Sequence, residues 1–125
     1  MMEISHAVAA LGALAQQTRL RVFRLLITEG AKGLPATEIA ARLGVRRNLM
    51  SAHLRALHQA GLSISRREGR QIYHAVDVAA VRHLLTFLVQ DCCQGNADQC
   101  ASLLNDILPL TGCKGEASMG QELLN

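Results

Sequence analysis

Three of the four cysteines in this 125-residue chain fall within nine positions, in the stretch QDCCQGNADQC: Cys92 and Cys93 are adjacent, and Cys100 follows seven residues after the second. Cys113 stands apart. Thiolates are soft donors that select thiophilic ions over hard ones. Structural zinc sites usually take four ligands with C-x2–4-C spacing, which this trio does not supply. An adjacent pair at a helix end, with a third thiolate brought back by a Gly95-Asn96 turn, suits a three-coordinate pyramid instead, the geometry of arsenic(III) and antimony(III). Cys100 would sit in the first turn of a last helix, where the positive end of the helix dipole favours thiolate. Three other readings use the same residues: a cadmium, lead or zinc cage with Cys113 as fourth ligand, a thiol-redox or persulfide switch, and three small buried residues in a helical hairpin.

A second group of residues with chemistry is basic. The formal net charge is only +3, yet residues 42–70 hold Arg42, Arg46, Arg47, Arg55, Arg66, Arg67 and Arg70 against a single acid, Glu68. From Cys92 onward one base, Lys114, faces Asp98, Asp106, Glu116 and Glu122. A basic middle followed by a mildly acidic tail points to a polyanion partner for the middle alone. No nucleophile–base pair or cofactor loop is present, and GAKG and GVRR are not phosphate loops, so no enzyme and no organic cofactor are expected. The histidines show no ligand spacing, and His53 reads as a packed rather than a base-reading residue.

The elements that must position these groups follow from periodicity. The length is that of one domain. Half the residues are hydrophobic, aromatics are few, and alanine and leucine, strong helix formers, fill the gap. Ile4, Val8, Leu11 and Leu14 recur at helical spacing, and Leu20, Phe23, Leu26 and Ile27 mark a second amphipathic helix over 17–28. PATEIAARLGV predicts a short helix with Ile39, Ala40 and Leu43 inward and Gly44 left-handed after it. RRNLMSAHLRALHQAG predicts another, with Met50, Leu54 and Leu57 as its stripe and Gly61 as its stop. Two short helices joined around a glycine make a helix-turn-helix. The period then changes: LSISRREGRQIYHAV, with Leu62, Ile64, Ile72 and Ala75 or Val76, reads as a hairpin. Asp77 is a fair N-cap for a long helix with the stripe Val78, Val81, Leu84, Leu85, Leu88 and Val89. That stripe is broad enough to suggest a dimer interface. A short helix at about 98–108 and a loose tail complete the reading. The fold class expected is mainly α with a β-hairpin wing, a homodimeric winged helix-turn-helix: residues 1–110 as the DNA-binding and dimerisation domain with its cysteine site, 111–125 as a flexible tail. With no signal-peptide n-region and no span of roughly 20 apolar residues, a cytoplasmic protein without membrane contact is expected.

These residues resemble the ArsR/SmtB family of winged-helix repressors. The likeness lies in LAQQTRLRVFRLL (14–26), LPATEIAARLGVRRNLMSAHLRALHQAGL (34–62) and RREGRQIYHAV (66–76), spanning roughly residues 15–92, about 60 per cent of the chain. It implies a homodimer paired through its first and last long helices, bound to double-stranded operator DNA until an inducer releases it. It also implies that the second helix of the helix-turn-helix enters the major groove with its first turns forward. The candidate base contacts are Arg46, Arg47, Asn48, Ser51, Ala52 and Arg55. The wing arginines Arg66, Arg67 and Arg70 suit phosphate or the minor groove. Many members cap this helix with a serine-containing turn; here Asn48 is the candidate cap, which leaves the helix start open by two residues.

The family's Cys-x-Cys site falls on LPATEIA, which has no cysteine. Its zinc site at the last long helix would need ligands where Ala79, Gln90 and Cys93 stand. Cys92, Cys93 and Cys100 remain, and they resemble the carboxy-terminal As(III) site of some arsenic repressors. The expected inducer is therefore As(III) or Sb(III).

Overall fold

The computed structural model describes residues 2–90. The expected cysteine site, the helix at about 98–108 and the tail from 111 lie outside the described residues, as does the expected domain boundary at 110.

Five helices and a small sheet alternate in the order α1 (Ile4–Leu14), α2 (Gln17–Glu29), a 3-10 turn (Gly30–Lys32), β1 (Leu34–Pro35), α3 (Ala36–Leu43), α4 (Arg47–Gln59), β2 (Ser63–Glu68), β3 (Gln71–Val76) and α5 (Val78–Gln90). Mainly helical with a hairpin wing, this is the expected winged helix-turn-helix. α3 ends where Gly44 turns left-handed at φ 67°, a conformation that costs glycine nothing. Val45 then donates back to the Ala40 carbonyl at 3.0 Å, closing the turn into α4. α4 stops at Gly61, φ 80°, as its sequence predicts.

One core joins the elements. Ile39 and Ala40 of α3 and Met50, Leu54 and Leu57 of α4 are buried together with Val22, Leu25 and Leu26 of α2, Leu62, Val76 and Leu84. The α2 stripe is corrected here. Val22, Leu25 and Leu26 face inward and Phe23 is half-buried, whereas Leu20 and Ile27 are 42% and 48% exposed. Both sets fit a helical period, and packing against α3 and α4 decides which face turns inward. In α1 the buried residues are Ala7, Ala10 and Ala13, small enough to let the helix approach α2 and α4 closely, while Ile4, Val8 and Leu11 remain in solvent. α5 packs on α1, and of its expected stripe Leu84 is buried while Val78 and Leu85 stay exposed.

The sheet has one strand more than the expected hairpin. β1 pairs antiparallel with β3 (Leu34↔His74, Pro35↔Tyr73), giving the order β1-β3-β2. Gly33 makes that approach possible: at φ 72° it lies so close that a Cβ would stand 2.4 Å from the His74 carbonyl oxygen. β2 and β3 run from Ser63↔Val76 to Glu68↔Gln71, leaving a two-residue loop, Gly69-Arg70. Ala75 and Val76 are buried at the base, but Ile64 and Ile72, expected inward, are 51% and 48% exposed, because the wing projects beyond the core that would cover them. Asp77 does cap α5: the Ala80 amide donates to its Oδ1 at 3.2 Å. Among the described residues no helix is long and apolar enough to cross a membrane.

Candidate nucleic-acid interface

The start of α4 sets the geometry. Arg46 is its N-cap residue, in an extended conformation, with no side-chain cap bond and no acid in the first turn. Asn48 therefore lies inside the first turn, and the expectation that it caps is corrected. A cap side chain has to stand in the extended residue before the helix to accept from the amides of the first turn, and Arg46 occupies that place. The α4 amino terminus thus presents its positive dipole end together with two guanidinium groups.

Arg46, Arg47, Asn48, Ser51, Ala52 and Arg55 are all exposed, while Met50, Leu54 and Leu57 of the same helix are buried. The helix is sorted into a core face and a polar outer face, and the six predicted residues fall on the latter. Ser51 is less available than its exposure suggests, since its hydroxyl donates to the Arg47 carbonyl at 3.1 Å. His53 is half-buried, consistent with packing. His58 lies farther along, with Nδ1 3.2 Å from the Ser63 carbonyl oxygen, so it ties the end of α4 to the base of the wing.

The wing arginines divide. Arg66 is engaged within the chain. Its Nε donates to Glu68 at 2.8 Å, Nη2 approaches the same carboxylate at 2.7 Å, and Nη1 reaches the Ala31 carbonyl at 3.2 Å. The guanidinium also sits 5.0 Å from the ring centroid of its cross-strand partner Tyr73, a cation–π distance. Arg66 thus latches the wing to the 3-10 turn after α2. Arg67 and Arg70 are exposed, and among the described residues neither has an acidic partner.

The other acids near the helix-turn-helix are neutralised elsewhere. Arg42 pairs with Glu38 at 2.9 Å and Glu29 at 3.2 Å. Those contacts, the Glu38 hydrogen bond foremost, raise its pKa, although exposed pairs of this kind add little stability. The outward positive charge accordingly rests on Arg46, Arg47, Arg55, Arg67 and Arg70. At the foot of the wing His74 is half-buried, and burial first, then the nearby His58, lowers its pKa.

Two features went unseen in the sequence. The Arg66 latch becomes legible only once a two-residue loop sets the register Arg66↔Tyr73. Leu49, 50% exposed in the first turn of α4, stands among the polar candidates where a helical pattern gives no reason to look for an apolar side chain.

This geometry recurs in known proteins. A family model for a helix-turn-helix domain matches residues 14–65. The chain is 28% identical over 92 residues to the transcriptional activator HlyU of Vibrio cholerae, covering 74% of this chain and 82% of that protein. Among solved structures, it is similar to a possible transcriptional regulator for arsenical resistance (33% identity, TM-score 0.56, 63% of this chain and 79% of the other). It is also similar to the homodimeric winged helix-turn-helix domain of Mb0332 from Mycobacterium bovis, a possible ArsR-family regulator (30%, TM-score 0.55, 70% and 82%). A third likeness is to the antimony-specific transcriptional repressor AntR (30%, TM-score 0.55, 78% and 84%). A helix-turn-helix with a basic outer face and a hairpin wing, shared over most of their length with regulators at 30–33% identity, places the chain in the ArsR family of winged helix-turn-helix transcriptional regulators.

Proposed function

We propose that this protein is a transcriptional repressor that grips operator DNA as a homodimer and releases it when As(III) or Sb(III) binds Cys92, Cys93 and Cys100. The observation that carries the DNA half is the start of α4, without a side-chain cap or an acid in its first turn, with Arg46 and Arg47 exposed there and Arg67 and Arg70 on the wing without an acidic partner among the described residues. Arg46, Arg47, Asn48, Ser51, Ala52 and Arg55 are the proposed major-groove residues; arginine matches guanine bidentately and asparagine matches adenine. Arg67 and Arg70 are the proposed phosphate or minor-groove contacts. Arg66 joins them by giving up part of its latch, or supports them by holding the wing in place.

The dimer is supported by the exposed Ile4, Val8 and Leu11 of α1 and Val78 and Leu85 of α5, on two helices that touch each other, and by the homodimeric Mycobacterium bovis neighbour. The metalloid inducer is supported by the trio of thiols and by the arsenical-resistance and antimony-specific neighbours. A three-thiolate pyramid satisfies a soft trivalent metalloid with no fourth ligand. Drawing Cys100 toward Cys92 and Cys93, just beyond α5, would reorder the end of a dimer helix and shift the two recognition helices relative to each other. Coupling of about 1–3 kcal/mol is typical of such linked sites, and about 100-fold weaker operator binding suffices to derepress. The unit proposed to do this is residues 1–110, in the cytoplasm, with 111–125 as a flexible tail.

The test is a gel shift on a duplex selected by the protein from random DNA, with and without arsenite. Release by arsenite supports the proposal; a complex that persists under saturating arsenite overturns the inducer. A second reading, a thiol-redox switch on the same cysteines, is favoured by one neighbour, the reduced form of HlyU (29% identity, TM-score 0.53). Release by peroxide, reversed by dithiothreitol and indifferent to arsenite, would establish it instead.

A further inference from the structure

Leu49 is the one large apolar side chain of α4 that is exposed among the described residues, at 50%, and it stands in the helix's first turn. Its neighbours in sequence, Arg46, Arg47 and Asn48, are all exposed, and so is Ala52, three positions on. Residues three apart on a helix are surface neighbours. Leu49 and Ala52 therefore form a small apolar patch inside an otherwise cationic and polar face.

The other large apolar side chains exposed at 40% or more lie on α1, α2, the wing and α5, and none shares this setting. A leucine half in water gains nothing in the free protein, and a polar residue would suit a merely solvated turn better. The gain comes when the turn is pressed against a surface with an apolar point of its own. In the major groove that point is the 5-methyl group of thymine, the one apolar group on a base edge and the feature that distinguishes thymine from the other bases there. The polar neighbours divide the remaining work: Arg46 and Arg47 offer donors, Asn48 offers both donor and acceptor, and Ser51 has committed its proton to the Arg47 carbonyl.

We propose that Leu49, with Ala52 beside it, reads a thymine through its 5-methyl group and so fixes one base of each operator half-site. This rests on the DNA-binding reading above and deepens it.

The test replaces thymine by deoxyuridine, which removes the methyl and leaves every hydrogen-bonding group in place. The full-length protein first selects a duplex from random DNA. Anisotropy titrations then follow single deoxyuridine substitutions across that duplex. For the parent protein, one thymine per half-site should lose about fourfold in affinity on substitution, the effect of one methyl-sized group returned to water. Leu49→Ala and Leu49→Gln should bind the thymine duplex more weakly and should no longer distinguish it from deoxyuridine at that position. Their salt dependence should match that of the parent, since no charge has changed. If no thymine loses its methyl dependence in both variants, or if both bind the thymine duplex as tightly as the parent, the inference is overturned while DNA binding stands. If the protein enriches no duplex at all, the DNA-binding reading falls and this inference falls with it.

Discussion

At the scale of single residues, the interface is decided by which guanidinium groups are already occupied. Among the described residues, Arg42 and Arg66 are engaged with carboxylates, whereas Arg46, Arg47, Arg55, Arg67 and Arg70 are not. Arg47→Ala should therefore weaken operator binding by about 1–3 kcal/mol while leaving the dimer and arsenite binding unchanged. Fluorescence anisotropy on an operator duplex measures it, and an unaltered affinity would show that the first turn of α4 is not at the bases. His74 gives a prediction on stability. Burial holds its folded-state pKa below the ordinary 6.5, so the unfolded chain takes up the proton first as the pH falls. The stability that His74 contributes is complete above about pH 7 and declines as the pH drops below 6.5 toward the folded value. Urea melts between pH 7.5 and 5.5 should show that decline, and His74→Gln should flatten it.

At the scale of elements, α3, α4, the hairpin and the Asp77 cap were legible because each carries a local signal: a left-handed glycine, a narrow stripe, a glycine turn, a short acceptor before a helix. Non-local decisions were not legible. β1 is two residues long and exists only because Gly33 lets the chain approach His74. The inward face of α2 was chosen by its neighbours, and Ile64 and Ile72 of the wing alternate like core residues but extend past the core. The site followed the same rule. Exposure of the six α4 candidates was readable from one helical period, whereas the Arg66 latch needed the strand register and the 3-10 turn together. The elements acting together make a prediction as well. If the wing arginines Arg66, Arg67 and Arg70 of both protomers each neutralise a phosphate, Arg66 by giving up part of its latch, six contacts give a log–log salt slope of roughly −5. Anisotropy titrations from low to moderate salt read the slope directly. A nearly flat line would mean that the basic stretch is only a solvated face.

At the scale of the whole molecule, the chain carries two distinct surfaces, one basic on α4 and the wing, one apolar on α1 and α5. The latter explains why α1 buries alanines and leaves Ile4, Val8 and Leu11 outside: their partner is expected in a second copy of the chain. Val8→Asp should give a folded monomer by sedimentation and operator binding weaker by at least the loss of two-site gripping, whereas a dimer of unchanged stability would remove α1 from the interface. In the proposed account the cysteines link the two surfaces, since Cys92 and Cys93 come one residue after the end of α5 in sequence. The central claim is tested most directly by titrating arsenite into the operator complex of the parent and of four single variants, followed by anisotropy. The account predicts that arsenite releases the parent and Cys113→Ser alike, while Cys92→Ser, Cys93→Ser and Cys100→Ser bind DNA fully and stay bound, since a protonated serine oxygen is a poor ligand for a soft metalloid. It would be contradicted if Cys113→Ser alone were uninducible, if zinc released the parent as well as arsenite does, or if arsenite left the parent complex intact.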